Sequence, residues 1–261
     1  MQQANLITEA KVLSAVRQYL DDFFTDLQSE DWEEYKSLYR FWCSAIKTIP
    51  PGGIALELGV GPTIYTTIPL AEHFSEIHLA DYVEESLTEV IKWLQAEPDC
   101  FDWRSFIQLV LQEEGKQGTE QEIAEREAKL RQVITKITTC DICSPAVLGK
   151  DSETYNLVTA HYCTEVATTT SEEWYEAINN ISQLVNSNGY LLLSVTTDLA
   201  LENWLYHSKP AQASPIITSE YVKTCLKDAG MNMDSLKLEL ISAPVDRPYT
   251  NTILIFVQKL A

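Results

Sequence analysis

Ile54-Ala55-Leu56-Glu57-Leu58-Gly59-Val60-Gly61-Pro62-Thr63 is the stretch on which the fold turns. Its apolar run is too short for a buried helix, it breaks at two glycines, and Pro62 suits the first turn of a following helix. Strand, glycine turn and helix are therefore expected in that order. Upstream, Pro50-Pro51-Gly52-Gly53 closes a helical region in which Val12, Val16, Tyr19, Leu20, Phe23, Phe24 and Leu27 recur at spacings of three and four. A second helical stretch, Trp32 to Ile49, continues that region, so residues 1–50 form an N-terminal helical cap. Downstream the grammar alternates. Strands are expected at Glu76–Asp81, Lys136–Cys140, Tyr155–His161 and Tyr190–Thr196, with helices at Glu84–Gln95 and Ser171–Val185 between them. The strands from Leu236 to Gln258 lie too close together for a helical crossover and close the sheet as an antiparallel edge. The fold class is thus α/β, a mostly parallel, Rossmann-like sheet of seven strands.

Residues 101–132 are longer than an ordinary connection and read as a helical insertion. Thr119 followed three positions on by Glu122 marks a capping box there. With no repeat and no linker, the 261 residues read as a single domain, a cap over 1–50 and a core over 51–261.

Hydrophobic residues at 45% and charged residues at 22% exclude a disordered or fibrous chain. Nineteen basic residues against 38 acidic ones give a formal charge of -19, which repels polyphosphate and anionic membrane, so neither nucleic acid nor membrane is an expected partner. No apolar run is long enough to cross a bilayer and the N-terminus has no signal-peptide pattern, which points to the cytoplasm; a monomer is the expected state. The six cysteines are spread thinly and read as reduced thiols. Cys140 and Cys143 have CxxC spacing, but neither a second pair nor paired histidines completes a metal site.

Chemistry gathers at the glycine turn. Gly59 and Gly61 let backbone approach a ligand closely, and Asp81, twenty residues beyond Gly61 at a strand end, is placed to accept from two ribose hydroxyls. The third glycine of a dinucleotide fingerprint is missing, and Pro62 removes a donor where pyrophosphate would need one. A cofactor with adenosine, a sulfonium and an amino-acid tail fits better, S-adenosylmethionine being the simplest candidate, with Asp141 accepting from the adenine amino group. The same residues admit a plainer reading, in which the glycines serve a tight turn and Asp81 caps the next helix. His161, at the mouth of the fourth strand, has two readings: contact with cofactor or substrate, or a satisfied half-buried imidazole. The cap aromatics Phe23, Phe24, Tyr35, Tyr39, Phe41 and Trp42 likewise suit either a cation-π pocket or a core stripe.

Gly59-Val60-Gly61-Pro62-Thr63-Ile64-Tyr65, then Asp81-Tyr82 with Leu87, Lys92-Trp93-Leu94, Glu97-Pro98 and Phe101-Asp102-Trp103, and finally Cys140-Asp141-Ile142, together resemble the small-molecule amine N-methyltransferases of the nicotinamide, phenylethanolamine and indolethylamine type. Order and spacing agree from Arg17-Gln18-Tyr19-Leu20 to the last strand. The resemblance implies the class I methyltransferase fold, S-adenosylmethionine as cofactor with S-adenosylhomocysteine as product, and a small amine as acceptor. By the same resemblance Tyr19 and Tyr65 meet the methionine carboxylate end, Gly59 and Gly61 the cofactor backbone, and Asp81 the ribose, with Val60 and Thr63 also counted as cofactor-binding. Ser86 stands at a ribose-contacting position where several relatives carry asparagine, Tyr82 covers the adenine face, and Asp141 with Ile142 meets its edge. Glu165 corresponds to the carboxylate that holds the substrate amine in the phenylethanolamine branch, and Asp246 lies near another amine-contacting position. The aspartate of the nicotinamide branch falls on Val195, with Asp198 the nearest acid, which argues against nicotinamide. Transfer to oxygen or sulfur with His161 as base, and cofactor binding without turnover, are the alternatives on the same fold.

Overall fold

The structure, a computed structural model, describes residues 2–150, 153–198, 214–245, 247 and 249–261. Seven strands form one sheet in the order β3-β2-β1-β4-β5-β7-β6: β1 (Ile54–Leu58), β2 (Glu76–Asp81), β3 (Ile134–Thr139), β4 (Tyr155–His161), β5 (Val185–Thr197), β6 (Met231–Ser242) and β7 (Asn251–Lys259). The first five are parallel, and β7 runs antiparallel to both β5 and β6. This is the expected arrangement, and the strand order reverses between β1 and β4. An open α/β sheet leaves a crevice at that reversal, beyond the carboxyl ends of the two strands.

Alternation along the strands divides the core in two. Ala55, Leu79, Leu157, Leu192 and Leu254 face helices α1 (Gln2–Phe24), α2 (Ser29–Ile46), α4 (Arg104–Glu113) and α5 (Glu120–Val133). Leu56, Leu58, Val158, Leu193 and Val195 face α7 (Ser171–Gln183) and α8 (Ser219–Asp228). Both faces are covered, so the central strands read as nearly continuous apolar runs rather than as alternating ones. Glu57 shares the cap-side face of Ala55 and is fully buried; its carboxyl accepts from the Thr159 hydroxyl, and burial pushes it up to about 8.

Local chemistry sets the helix ends. Thr119 accepts from Glu122 N while Glu122 reaches back to Thr119 N, the expected capping box at the start of α5. Thr170 and Thr218 cap α7 and α8 with a single bond each, their hydroxyls accepting from Glu173 N and Tyr221 N. The helix α2 stops at Ile46, short of the expected Ile49, because Thr48 N and Ile49 N bond to carbonyls three residues back and tighten the last turn.

The helix expected to open near Pro62 does not form. The Thr63 hydroxyl donates to Val60 O at 2.8 Å and the Thr67 hydroxyl to Ile64 O at 2.7 Å, which satisfies those carbonyls locally. Side chains that bond this way compete with helical pairing, and the only helix here is the 3-10 turn Ile68–Leu70, with Pro69 inside it. α3 (Glu84–Leu94) follows β2 as expected. β5 starts earlier than expected, at Val185. The ladder steps from Tyr155↔Val185 to Leu157↔Tyr190, and Gly189 passes where a Cβ would stand 3.0 Å from Tyr155 O.

Candidate active site

The turn after β1 packs directly on the turn after β4. Gly59 has φ +67°, and a Cβ built on it would lie 2.4 Å from Cys163 Cβ, so both conformation and space require glycine. Gly61 has φ +59° with nothing within 4 Å of its Cβ position. It therefore presents bare backbone to open space at the switch point.

Asp81 ends β2 beside this turn. Its Oδ2 accepts from Gly61 N at 2.7 Å and its Oδ1 from Val83 N at 2.8 Å. Burial pushes the carboxyl up and these backbone bonds draw it part of the way back. A carboxylate has about four acceptor sites, so the group has capacity beyond its backbone bonds. Val83, rather than Asp81, stands at the cap of α3, so the plainer reading of Asp81 as that helix's cap does not hold. Tyr82 next to it is 74% exposed and forms a lip, while Ser86 is buried in α3. Asp141 is exposed after β3 with its Oδ1 accepting from Cys143 N, and Ile142 is buried beside it. Gly59, Gly61, Asp81, Tyr82, Asp141 and Ile142 thus meet along the carboxyl ends of β1, β2 and β3. Val60 and Thr63 are buried in the turn, and Thr63 is spent on closing it.

A second, deeper cleft opens between the cap and the ends of β4 and β5. Tyr19, Phe23, Phe24, Tyr35 and Tyr65 wall it from the cap side, Tyr162, Glu165, Val166 and Thr196 from the sheet side, and Arg247 and Tyr249 from the loop after β6. Asp81 and Arg247 both act on the Tyr19 phenol, which ties this cleft to the crevice above β1. Of the cap aromatics, Phe23, Phe24 and Tyr35 line the cleft, whereas Tyr39, Phe41 and Trp42 pack in the core.

Glu165, 1% exposed, sits in the one-turn helix α6 (Thr164–Ala167). Its Oε1 accepts from both Thr196 N and the Thr196 hydroxyl at 2.7 Å, and its Oε2 from the Thr164 hydroxyl at 3.2 Å. Burial raises its pKa and these donors lower it, burial being the larger effect. Thr196 faces the cleft because it shares the cap-side face of Leu192 and Ser194. Val195 points into the opposite core, so the position matched to the nicotinamide-branch aspartate is not in the cleft. Asp198 is exposed and accepts from Thr250. Asp246 lies outside the described residues.

His161 corrects one expectation. It does not line the cleft. Nδ1 lies 2.8 Å from Ser194 Oγ, which also accepts from Trp42 Nε1 at 3.1 Å, and the imidazole sits 4.3 Å from the Trp42 ring. Burial drives its pKa down to about 3, so it is neutral at physiological pH and too weakly basic to take a proton from an acceptor. Its stability linkage has a definite sign. The unfolded chain takes a proton near pH 6.5 and the folded one does not, so stability is complete above pH 6.5 and falls as pH drops toward about 3. His161→Gln is expected to make the acid limb of unfolding shallower by as much as about 5 kcal/mol over that window. Urea titrations at stepped pH check it, and parallel acid limbs for the two proteins would show that His161 does not carry the linkage.

Sequence reasoning missed Glu34, Arg247 and Tyr249 as lining residues. One signal was present: Glu34 falls on the buried stripe of α2, four residues before Leu38 and eight before Trp42, where an acid is costly unless it is used.

Residues 7–258 match the NNMT/PNMT/TEMT family. The chain is similar to the indolethylamine N-methyltransferase of Mus musculus, 29% identical over 76% of this chain and 72% of the relative. It is also similar to the nicotinamide N-methyltransferase of Homo sapiens, 27% identical over 76% and 72%, and to the phenylethanolamine N-methyltransferase of Sus scrofa, 28% identical over 74% and 67%. Among solved structures, magnesium protoporphyrin IX methyltransferase from Synechocystis PCC 6803 with bound SAM superposes with a TM-score of 0.56 at 14% identity, covering 95% of this chain and 97% of that one. This structural likeness speaks for the fold.

Proposed function

The chain belongs to the NNMT/PNMT/TEMT family of S-adenosylmethionine-dependent N-methyltransferases acting on small amines, and from that premise we propose that Glu165 receives the acceptor nitrogen in the aromatic cleft. The observation that carries this reading is a buried carboxylate fixed by two Thr196 bonds in a cleft otherwise walled mainly by aromatic rings. The cofactor's sulfonium supplies an activated methyl group and a good leaving group. The bare backbone at Gly61 and the remaining acceptor capacity of Asp81 suit its ribose, Tyr82 its adenine face, and Asp141 with Ile142 its adenine edge. Tyr19 and Tyr65, at the join of crevice and cleft, suit the methionine end. Val60, Thr63 and Ser86 shape the crevice from beneath.

What the chain adds to the reaction is alignment, exclusion of water and charge. Holding nitrogen and methyl in line is worth on the order of 7 to 11 kcal/mol in well-oriented reactions. A neutral amine attacks first and becomes cationic, so Glu165 orients the lone pair beforehand and stabilises the positive charge that develops. Aromatic faces around it favour the same cation. Transfer to a hydroxyl would need a base, and His161, neutral and paired with Ser194, does not serve as one. Six free thiols support a reducing, cytoplasmic setting, and we read the chain as a monomer built as a single methyltransferase domain. None of the described helices is long and apolar enough to cross a membrane.

The reading is tested by mass spectrometry of a mixed amine, guanidine, pyridine, phenol and thiol library incubated with the enzyme and methyl-labelled cofactor. Label on amine nitrogen is the expected result. Label confined to oxygen or sulfur would overturn it.

A further inference from the structure

We propose that Glu34 is a second acceptor-reading carboxylate, and that the amine methylated here carries a second positive charge at the end remote from the reacting nitrogen. The inference rests on the amine-transfer reading and narrows its substrate class. Glu34 and Glu165 both line the cleft, one contributed by the cap helix α2 and the other by the helix that follows β4. A molecule spanning the cleft from sheet to cap therefore meets a carboxylate at each end.

The surroundings of Glu34 leave it short of compensation. It is 6% exposed, and its Oε1 accepts from the Tyr249 hydroxyl at 2.9 Å. Arg247 reaches its Oε2 only at 3.8 Å, because the guanidinium makes its short contact, 2.8 Å, with Asp31. Arg247 Nε is buried with no hydrogen-bond partner, so the arginine is held between two acids rather than committed to Glu34. At this end of the cleft Asp31 and Glu34 share one guanidinium, two acids against one base. Burial holds the Glu34 pKa up even though Tyr249 and Arg247 pull it down. A buried carboxylate in that position gains most from a further cation. The walls are suited to one: Phe23 already lies 5.8 Å from the Arg247 guanidinium, and Tyr35 and Tyr65 meet edge to face beside it. Glu34 thus supplies the charge, Tyr249 its orientation, and the rings an aromatic sleeve between the two carboxylates.

The test compares phenylethylamine with 4-(aminomethyl)phenylethylamine by calorimetry, each titrated into the full chain with S-adenosylhomocysteine present. A preference for the diamine on the order of tenfold or more is expected from one charge-assisted contact. In Glu34→Gln that preference collapses to within about threefold, Glu34→Asp restores part of it, and Tyr249→Phe lowers it through lost orientation. Retained affinity for S-adenosylhomocysteine certifies that each variant is folded. The chain's overall negative charge cannot produce this pattern, because Glu34→Gln removes one acid of 38. Equal affinity of the wild type for the two amines, or a preference that survives Glu34→Gln, overturns the inference. Turnover is read separately: diamine binding as described with no methyl transfer to nitrogen would overturn the amine-transfer reading and leave the binding assignment standing.

Discussion

Asp81→Ala is expected to weaken S-adenosylmethionine binding on the order of 10² to 10⁴-fold, the loss of two hydrogen bonds to a charged acceptor at roughly 1.5 to 3 kcal/mol each. The direction follows from the carboxylate's present bonds. Gly61 N and Val83 N each bond one oxygen, which fixes the plane of the group beside the glycine turn. Alanine removes the ribose acceptor and also frees the glycine turn, so part of the loss is preorganisation. The fold itself survives, because the two orphaned N–H groups are only part-buried and cost about 1 to 3 kcal/mol each at most. Asp81→Asn separates these contributions. Its carbonyl oxygen still holds one backbone N–H while its amide presents donors where acceptors are wanted, so its affinity falls between wild type and alanine. Calorimetric titration with S-adenosylmethionine and with S-adenosylhomocysteine measures both variants. Unchanged affinity in Asp81→Ala would remove this residue from the cofactor site.

The sheet was legible because its signals are local and redundant. Leu56-Glu57-Leu58-Gly59 reads as a strand meeting a turn whichever scale is used, and the close spacing of β6 and β7 leaves only an antiparallel pairing. The helix after Pro62 was misread because a proline and an apolar run are weaker than two threonine hydroxyls already bonded to the carbonyls a helix would need. The carboxyl end of β5 shows the sharper limit. Matching by position put Val195 at an amine-contacting site, but strand periodicity is two, and a shift of one residue exchanges the cleft for the opposite core. His161 was ambiguous in sequence for a physical reason: an imidazole at a strand mouth is decided by what lies over it, and Trp42 comes from a helix more than a hundred residues away. Arg247 and Tyr249 belong to the same class. They enter the cleft through a loop, where no periodicity announces which side chain turns inward.

Glu165→Gln is expected to lower kcat on the order of 10²-fold while cofactor affinity stays within about threefold. The substitution suits the question because it keeps the shape. The glutamine carbonyl oxygen still accepts from Thr196 N and the Thr196 hydroxyl, and its amide faces a Thr164 hydroxyl able to accept from it. What disappears is the negative charge opposite a nitrogen that becomes cationic, an effect largest where water is excluded. The pH profile carries the same signature. Burial raises the Glu165 carboxyl above its ordinary value, so its charge is lost as pH falls through that raised value. Wild-type kcat therefore shows an acid limb displaced upward from free glutamate, and Glu165→Gln flattens it at a uniformly low rate. Amine acceptors whose own pKa lies well below the assay range separate this limb from protonation of the acceptor. If the variant kept both the wild-type rate and the acid limb, the positive charge at nitrogen would be met by another group, and Glu165 would be left with only its structural bond to Thr196.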